Sequence, residues 1–132
     1  MGKIVIGVDS STQSTKAIAW DINGKALAEG RCDIPLHNPS LEKFEQNVED
    51  WWRAFCVSTQ ELCQKIDINE VDGLAISNQR ETLAKLDSSG KEVYPATVWM
   101  NGKSDLTQSL NESVIITDSK VQYNSSDCFP SV

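Results

Sequence analysis

The stretch Gly7-Val-Asp-Ser-Ser-Thr-Gln-Ser-Thr-Lys-Ala-Ile-Ala-Trp-Asp21 decides the fold. An apolar run, Ile4 to Val8, delivers one carboxylate, Asp9, to a turn crowded with hydroxyls at Ser10, Ser11, Thr12, Ser14 and Thr15. A second apolar run, Ala17 to Trp20, leaves that turn with Lys16 at its root. Two strands joined so tightly aim backbone N–H and side-chain O–H groups at one point. That arrangement suits a phosphate, and Asp9 beside it suits the magnesium that accompanies a nucleotide. Taken alone, the same residues also fit an ordinary polar hairpin.

Working outward, Lys3 to Asp9 is apolar on both faces, as in a strand covered on each side. Lys16 to Asp21 is the next strand, Asn23-Gly24 is a strong hairpin signal, and Lys25 to Ile34 completes an antiparallel meander. Pro35 and Pro39 then punctuate a loop. Asn47 is placed to cap a helix running to about Lys65, with Glu49 and Asp50 opposing the positive end of its dipole. Val48, Trp52, Phe55, Thr59, Leu62 and Ile66 recur at helical spacing and predict its buried face. Trp51-Trp52 reads as part of that packing rather than as a ligand platform. Val71 to Ser77 is nearly all apolar, which predicts a central strand parallel to the first. Thr82 to Asp87, the turn Ser88-Ser89-Gly90, and Lys91 to Trp99 read as a closing hairpin.

The order Asp9-x-x-Thr12-x-Ser14, strand, Asn23-Gly24 turn, strand resembles the opening of the FGGY carbohydrate kinases. A second match stands downstream: Ala75-Ile-Ser-Asn-Gln-Arg-Glu-Thr82, followed by Tyr94-Pro-Ala-Thr-Val-Trp99. The Asn-Gln-Arg-Glu-Thr run is similar to the glycerol kinase branch, and the first loop is more similar to some pentulose kinases. The resemblance implies an α/β fold, a partial actin-like or ribonuclease-H-like domain with meander, crossover helix, parallel strand and hairpin. It implies transfer of the γ-phosphate of ATP to a hydroxyl of a sugar or polyol, with ATP and Mg2+ required. The resemblance covers about residues 1–105. Residues 106–132, rich in serine and weakly periodic, read as a divergent and disordered tail.

By the same resemblance Thr12, Gln13 and Ser14 hold the β- and γ-phosphates, and Lys16 stands where the family often has a basic residue. Asp9 would take the magnesium, through water. Arg80, a rigid fork of donors, and Glu81, an acceptor, would bind adjacent substrate hydroxyls, and Trp99 would pack against the carbon face. Three positions depart from the family pattern. Ser11 replaces a common glycine, and Asn101 and Lys103 stand where the family more often has Asp and Arg. No catalytic residue is assigned, because the family's general base is an aspartate expected beyond residue 132. On this reading the chain is a truncated amino-terminal form, inactive alone. A non-catalytic binding or regulatory form is the alternative. A ribonuclease-H-like nuclease would need several clustered carboxylates, and only Asp9 is placed by motif.

Charge and composition narrow the partners. The formal net charge of −7 disfavours nucleic acid, whose phosphates demand clustered Lys and Arg. A small sugar or polyol and ATP are the expected partners, with an oligomer allowed by the sheet edges an incomplete domain leaves. No run of about 18 apolar residues is present, so no membrane span is expected, and no secretory signal is apparent. The cytoplasm is the expected location. Cys32, Cys56, Cys63 and Cys128 show no metal-like spacing with His37, so packing thiols and a solvated imidazole are expected.

Overall fold

The computed structural model describes residues 3–80 and 82–100. They fall into two units, each built on its own four-stranded sheet: one of residues 3–34 and 49–79, the other of 35–48, 80 and 82–100.

The first unit opens with the predicted meander, β1 (Ile4–Ser10), β2 (Ser14–Asp21) and β3 (Ala26–Asp33). β1 and β2 pair antiparallel from Ile4↔Asp21 to Ser10↔Thr15, which fixes Asp9 opposite Lys16. The β2–β3 turn forms as Asn23-Gly24 predicts. Asp21 Oδ1 accepts from the Asn23 and Lys25 N–H groups at 2.8 and 2.9 Å, and Gly24 takes φ 79°. Helix α1 (Val48–Cys63) begins directly after Asn47, with Glu49 and Asp50 in its first turn. It leads through a short 3-10 turn, Ile68–Glu70, into β6 (Val71–Asn78), which lies parallel to β1. The sheet order is β3-β2-β1-β6.

Alternation decides what this sheet buries. Ile4, Ile6 and Val8 of β1 and Ala17 and Ala19 of β2 point to one face, where they pack with Leu62 of α1. Phe55, Cys63, Ile66, Ala28 and Val71 close around them. The helix face differs in part from the expected one. Phe55, Thr59 and Leu62 lie on it, and Ile66 packs on the same core from just past the helix, which ends at Cys63 rather than near Lys65. Ala54 and Ser58 are fully buried while Val48 and Trp52 are only half-buried. Small residues sit at the centre because the helix backbone rests directly on Gly30 of β3. Trp52 stacks on Phe55 with ring centroids 5.4 Å apart.

The charged flank of α1 serves β3. Glu61 Oε2 accepts from the Arg31 N–H at 3.0 Å, and Lys65 Nζ donates to Glu61 Oε1 and to the Glu29 carbonyl. An outer strand of the sheet thus has backbone groups satisfied by Glu61 of the helix and by Lys65 just past its end.

β6 departs from expectation. It is parallel to β1 as predicted, yet it is the last strand of this sheet among the described residues rather than a central one. Leu74 and Ile76 are 40% and 58% exposed.

The second unit overturns the loop expected after Pro35. Residues there form β4 (His37–Ser40) and β5 (Lys43–Gln46), and with β7 (Leu83–Leu86) and β8 (Glu92–Thr97) they make a sheet ordered β4-β5-β8-β7. β5 is held by a distant partner: Glu45 pairs with Thr97 and Gln46 with Ala96, and the Val98 N–H donates to the Phe44 carbonyl at 3.1 Å. Gln46 is fully buried, and its Nε2 donates to the Pro35 carbonyl at 3.2 Å. Ala96 and Val98 are buried beside this ladder. The β7–β8 hairpin forms as predicted, and its turn repeats the chemistry of the β2–β3 turn. Asp87 Oδ1 accepts from Ser89 N, Ser89 Oγ and Lys91 N, and Gly90 takes φ 84°.

Cys32 and Cys63 carry free thiols, whereas Cys56 is disulfide-bonded and not the packing thiol expected. No helix among the described residues is long and apolar enough to cross a membrane. The expected boundary near residue 105, the tail 106–132, Asn101, Lys103 and Glu81 all lie outside the described residues.

Candidate functional site

The loop between β1 and β2 is tied at each of its positions. The Ser11 N–H donates to the Ser14 carbonyl at 3.0 Å and closes the turn. The Ile34 N–H donates to the Gln13 carbonyl at 2.8 Å, which anchors the loop's crest to the end of the meander. Beneath the crest Ser10 Oγ and Thr15 Oγ1 share a hydrogen bond at 3.2 Å, with Thr15 fully buried. Turning of the chain at this point therefore leaves Thr12 half-buried and Gln13 exposed on a loop whose backbone is already held. A loop held in this way would not lose the conformational entropy of a free one on meeting a ligand.

Asp9 is exposed at the edge of this loop, and Ser11 Oγ donates to its Oδ2 at 2.9 Å. Ser11, where the resemblance implies a glycine, thus orients the carboxylate. Across the ladder Asp9 stands beside Lys16 on one side and Ser77 of β6 on the other. No group of three or more His, Cys, Asp or Glu that could hold a metal is found among the described residues. The donor set still fits magnesium of the kind that travels with a nucleotide. That ion keeps much of its water and takes one or two carboxylates plus phosphate oxygens, so Asp9 alone suffices from the protein.

Lys16 is placed less simply than expected. Its Nζ lies 2.9 Å from Glu29 Oε2 of β3, so its charge is shared with a carboxylate, and both side chains are about half exposed. Glu29 sits opposite Ile18, which makes it a diagonal neighbour of Lys16 on the same face.

One contributor escaped the sequence reading. Gln79, the residue after β6, receives a hydrogen bond from Thr12 Oγ1 on its Oε1 at 2.8 Å, and its N–H donates to the Ser10 carbonyl at 3.1 Å. It lies inside the Asn-Gln-Arg-Glu-Thr run, which was its only signal. Asp9, Ser11, Thr12, Gln13, Ser14, Lys16 and Gln79 are therefore gathered at one end of the first sheet.

Arg80 and Trp99 belong to the second unit. Arg80 is exposed, with its carbonyl accepting from Thr82 Oγ1 at 3.4 Å, and Trp99 is 50% exposed just past β8. Glu81, expected between them in role, lies outside the described residues. Both described residues are exposed.

A sequence model of the amino-terminal domain of the FGGY family of carbohydrate kinases matches residues 4–126. Glycerol kinase 2 of Saccharolobus solfataricus is 34% identical over 116 residues, covering 85% of this chain and 23% of that protein. Among solved structures, gluconate kinase from Lactobacillus acidophilus matches with a TM-score of 0.73 and 29% identity, over 83% of this chain and 22% of that one. Xylulose kinase from the same organism matches with a TM-score of 0.72 at 29% identity, over 83% and 22%. The chain thus spans less than a quarter of the length of these relatives.

Proposed function

The chain belongs to the FGGY family of carbohydrate kinases, and we propose that it supplies the phosphate loop and part of the hydroxyl clamp of an ATP-dependent sugar or polyol kinase. The observation that carries this reading is the backbone-tied loop of hydroxyls with Asp9 at its edge. In the reaction, a substrate hydroxyl oxygen forms a bond to the γ-phosphorus while the bond to the β–γ bridging oxygen breaks. The electron pair leaves with ADP. Phosphoryl transfer of this kind needs positioning and charge neutralisation more than covalent help.

Thr12, Gln13 and Ser14 hold the β- and γ-phosphates through N–H and O–H donors. Lys16 adds a cation once Glu29 yields it. Asp9, fixed by Ser11, would hold Mg2+, which when bound would neutralise phosphate charge. Arg80 donates to adjacent substrate hydroxyls, Glu81 accepts from them, and Trp99 covers the carbon skeleton. The hydroxyl proton goes to a general base that no motif in this sequence assigns. Glycerol, pentuloses and gluconate all fit this clamp chemistry, since each offers vicinal hydroxyls on a short carbon chain. A cytoplasmic location fits the need for ATP and Mg2+.

Titration of the isotopically labelled chain with MgADP tests the loop directly. Amide shifts are expected across residues 9–16, and Asp9→Asn is expected to weaken binding at least tenfold while leaving the spectrum of α1 unchanged. Shifts absent from the loop, or unaltered in the variant, would overturn the reading.

A further inference from the structure

Gln79 stands one residue beyond the β1–β6 ladder, whose last pair is Ser10↔Asn78. From there it holds the loop at two points. Its backbone N–H donates to the Ser10 carbonyl, and its Oε1 accepts the Thr12 hydroxyl proton, from a residue 67 positions earlier in the chain. Nothing in the assigned roles of the phosphate loop or the clamp uses this side chain.

The proton count gives the contact its consequence. A threonine hydroxyl has one proton to donate. A phosphate oxygen only accepts, so the Thr12 hydroxyl serves a phosphate only by giving it that proton. In the arrangement described, the proton goes to Gln79 Oε1. A carboxamide can resolve the conflict without moving away: turned about its last bond, it presents Nε2 and donates to the Thr12 oxygen instead. The Thr12 proton is then released toward the phosphate. A carboxylate at position 79 could only accept, and a thioether could do neither usefully.

We propose that Gln79 is a positioning residue for the phosphate loop, holding Thr12 through Oε1 or through Nε2 and switching to Nε2 when Thr12 donates to a phosphate. This rests on the reading of the loop as a phosphate site. The switch needs no movement of the backbone, because Ser10 and Gln79 stay joined through the main chain.

Two measurements on the full chain test it. The first is a stability cycle of Thr12→Val, Gln79→Met and the double variant, read as urea midpoints. Each single variant is expected to lower the midpoint, and the double variant to lower it no further than the stronger single. Additive losses would show that the two side chains do not act together, and would overturn the proposal. The second is MgADP affinity in wild type, Gln79→Met and Gln79→Glu, each repeated with Thr12→Val. Gln79→Glu is expected to weaken binding about tenfold and Gln79→Met about threefold, with the difference between them shrinking in the Thr12→Val background. A purely structural Gln79 would rank the two by their stability loss and keep that ranking without the Thr12 hydroxyl, which would overturn the switch. Wild-type protein that binds no MgADP would remove the phosphate reading, and the switch with it, while the stability cycle would still decide whether Gln79 latches Thr12.

Discussion

Gly30 lies so close beneath Ser58 that a Cβ on it would come within 2.0 Å of the Ser58 carbonyl oxygen and 3.0 Å of the Leu62 nitrogen. Both obstructing atoms are helix backbone, so neither can swing aside. The packing of α1 on the meander depends on this missing side chain.

Gly30→Ala must lift the helix or bend β3. Overpacking of a filled interior costs typically about 1–3 kcal/mol, and a clash with backbone belongs at or above the top of that range. The variant is expected to unfold at clearly lower urea than wild type, whereas Ser58→Ala, which leaves the carbonyl in place, removes only a side-chain hydrogen bond to the Phe55 carbonyl. Equal stability of Gly30→Ala and wild type would contradict the contact.

Lys16 and Glu29 form an ion pair at 2.9 Å with both side chains about half exposed. Such pairs contribute about 0–1 kcal/mol to stability, so Glu29→Gln should barely change the unfolding midpoint. Its effect on binding should be larger, because it leaves the ammonium uncompensated beside the loop. MgADP affinity is expected to rise a few-fold in Glu29→Gln and fall in Lys16→Ala, with both effects fading as salt screens them. Tighter binding that ignores ionic strength would point to a cause other than the lysine charge.

The Asp87 turn should respond to acid. Hydrogen bonds from the Ser89 hydroxyl and then the Lys91 N–H hold the carboxylate below its ordinary range. A carboxyl with a folded value below its unfolded one adds stability above the unfolded value and loses it as pH falls through the folded one. The β7–β8 hairpin is therefore expected to exchange its amides faster, relative to intrinsic rates, as pH drops below the usual carboxylate range. Asp87→Asn should flatten that local dependence, since its amide does not titrate there. A hairpin equally protected on both sides of that range would refute the assignment.

Why some of this was legible and some not follows from where each interaction closes. The turns at Asn23-Gly24 and Ser88-Ser89-Gly90, and the helix start after Asn47, close within a few residues, so local pattern finds them. β5 forms because Glu45 and Gln46 meet Thr97 and Ala96, and no local pattern announces a partner so distant. Pro35 and Pro39 speak for a loop, and tertiary pairing overrides them. The Val71–Ser77 run predicts the strand that pairs parallel to β1, but an apolar sequence states what cover a strand requires rather than what lies beside it. At the site, the Asp9 motif revealed the loop, while the Glu29 partner of Lys16 and the Gln79 partner of Thr12 became visible only through sheet register.

The 132-residue polypeptide, taken alone, should transfer no phosphate from ATP to a polyol above background. It carries a backbone-tied loop of hydroxyls and an oriented Asp9 in the first unit, and an exposed Arg80 in the second. No motif in the sequence assigns a general base, and general acid–base help contributes about 10²–10⁴ in rate. The relatives it resembles are more than four times its span, since it covers 23% of the glycerol kinase and 22% of the gluconate kinase. Exclusion of water and alignment of two substrates draw on more enclosing surface than a phosphate loop and a clamp provide. Binding and turnover should therefore separate: MgADP shifts the loop amides, yet a coupled ADP-release assay over glycerol, ketopentoses and gluconate stays at the no-acceptor rate. Acceptor-dependent release that vanishes in Asp9→Ala would instead make this span a self-sufficient kinase, with a base to be sought among its own carboxylates.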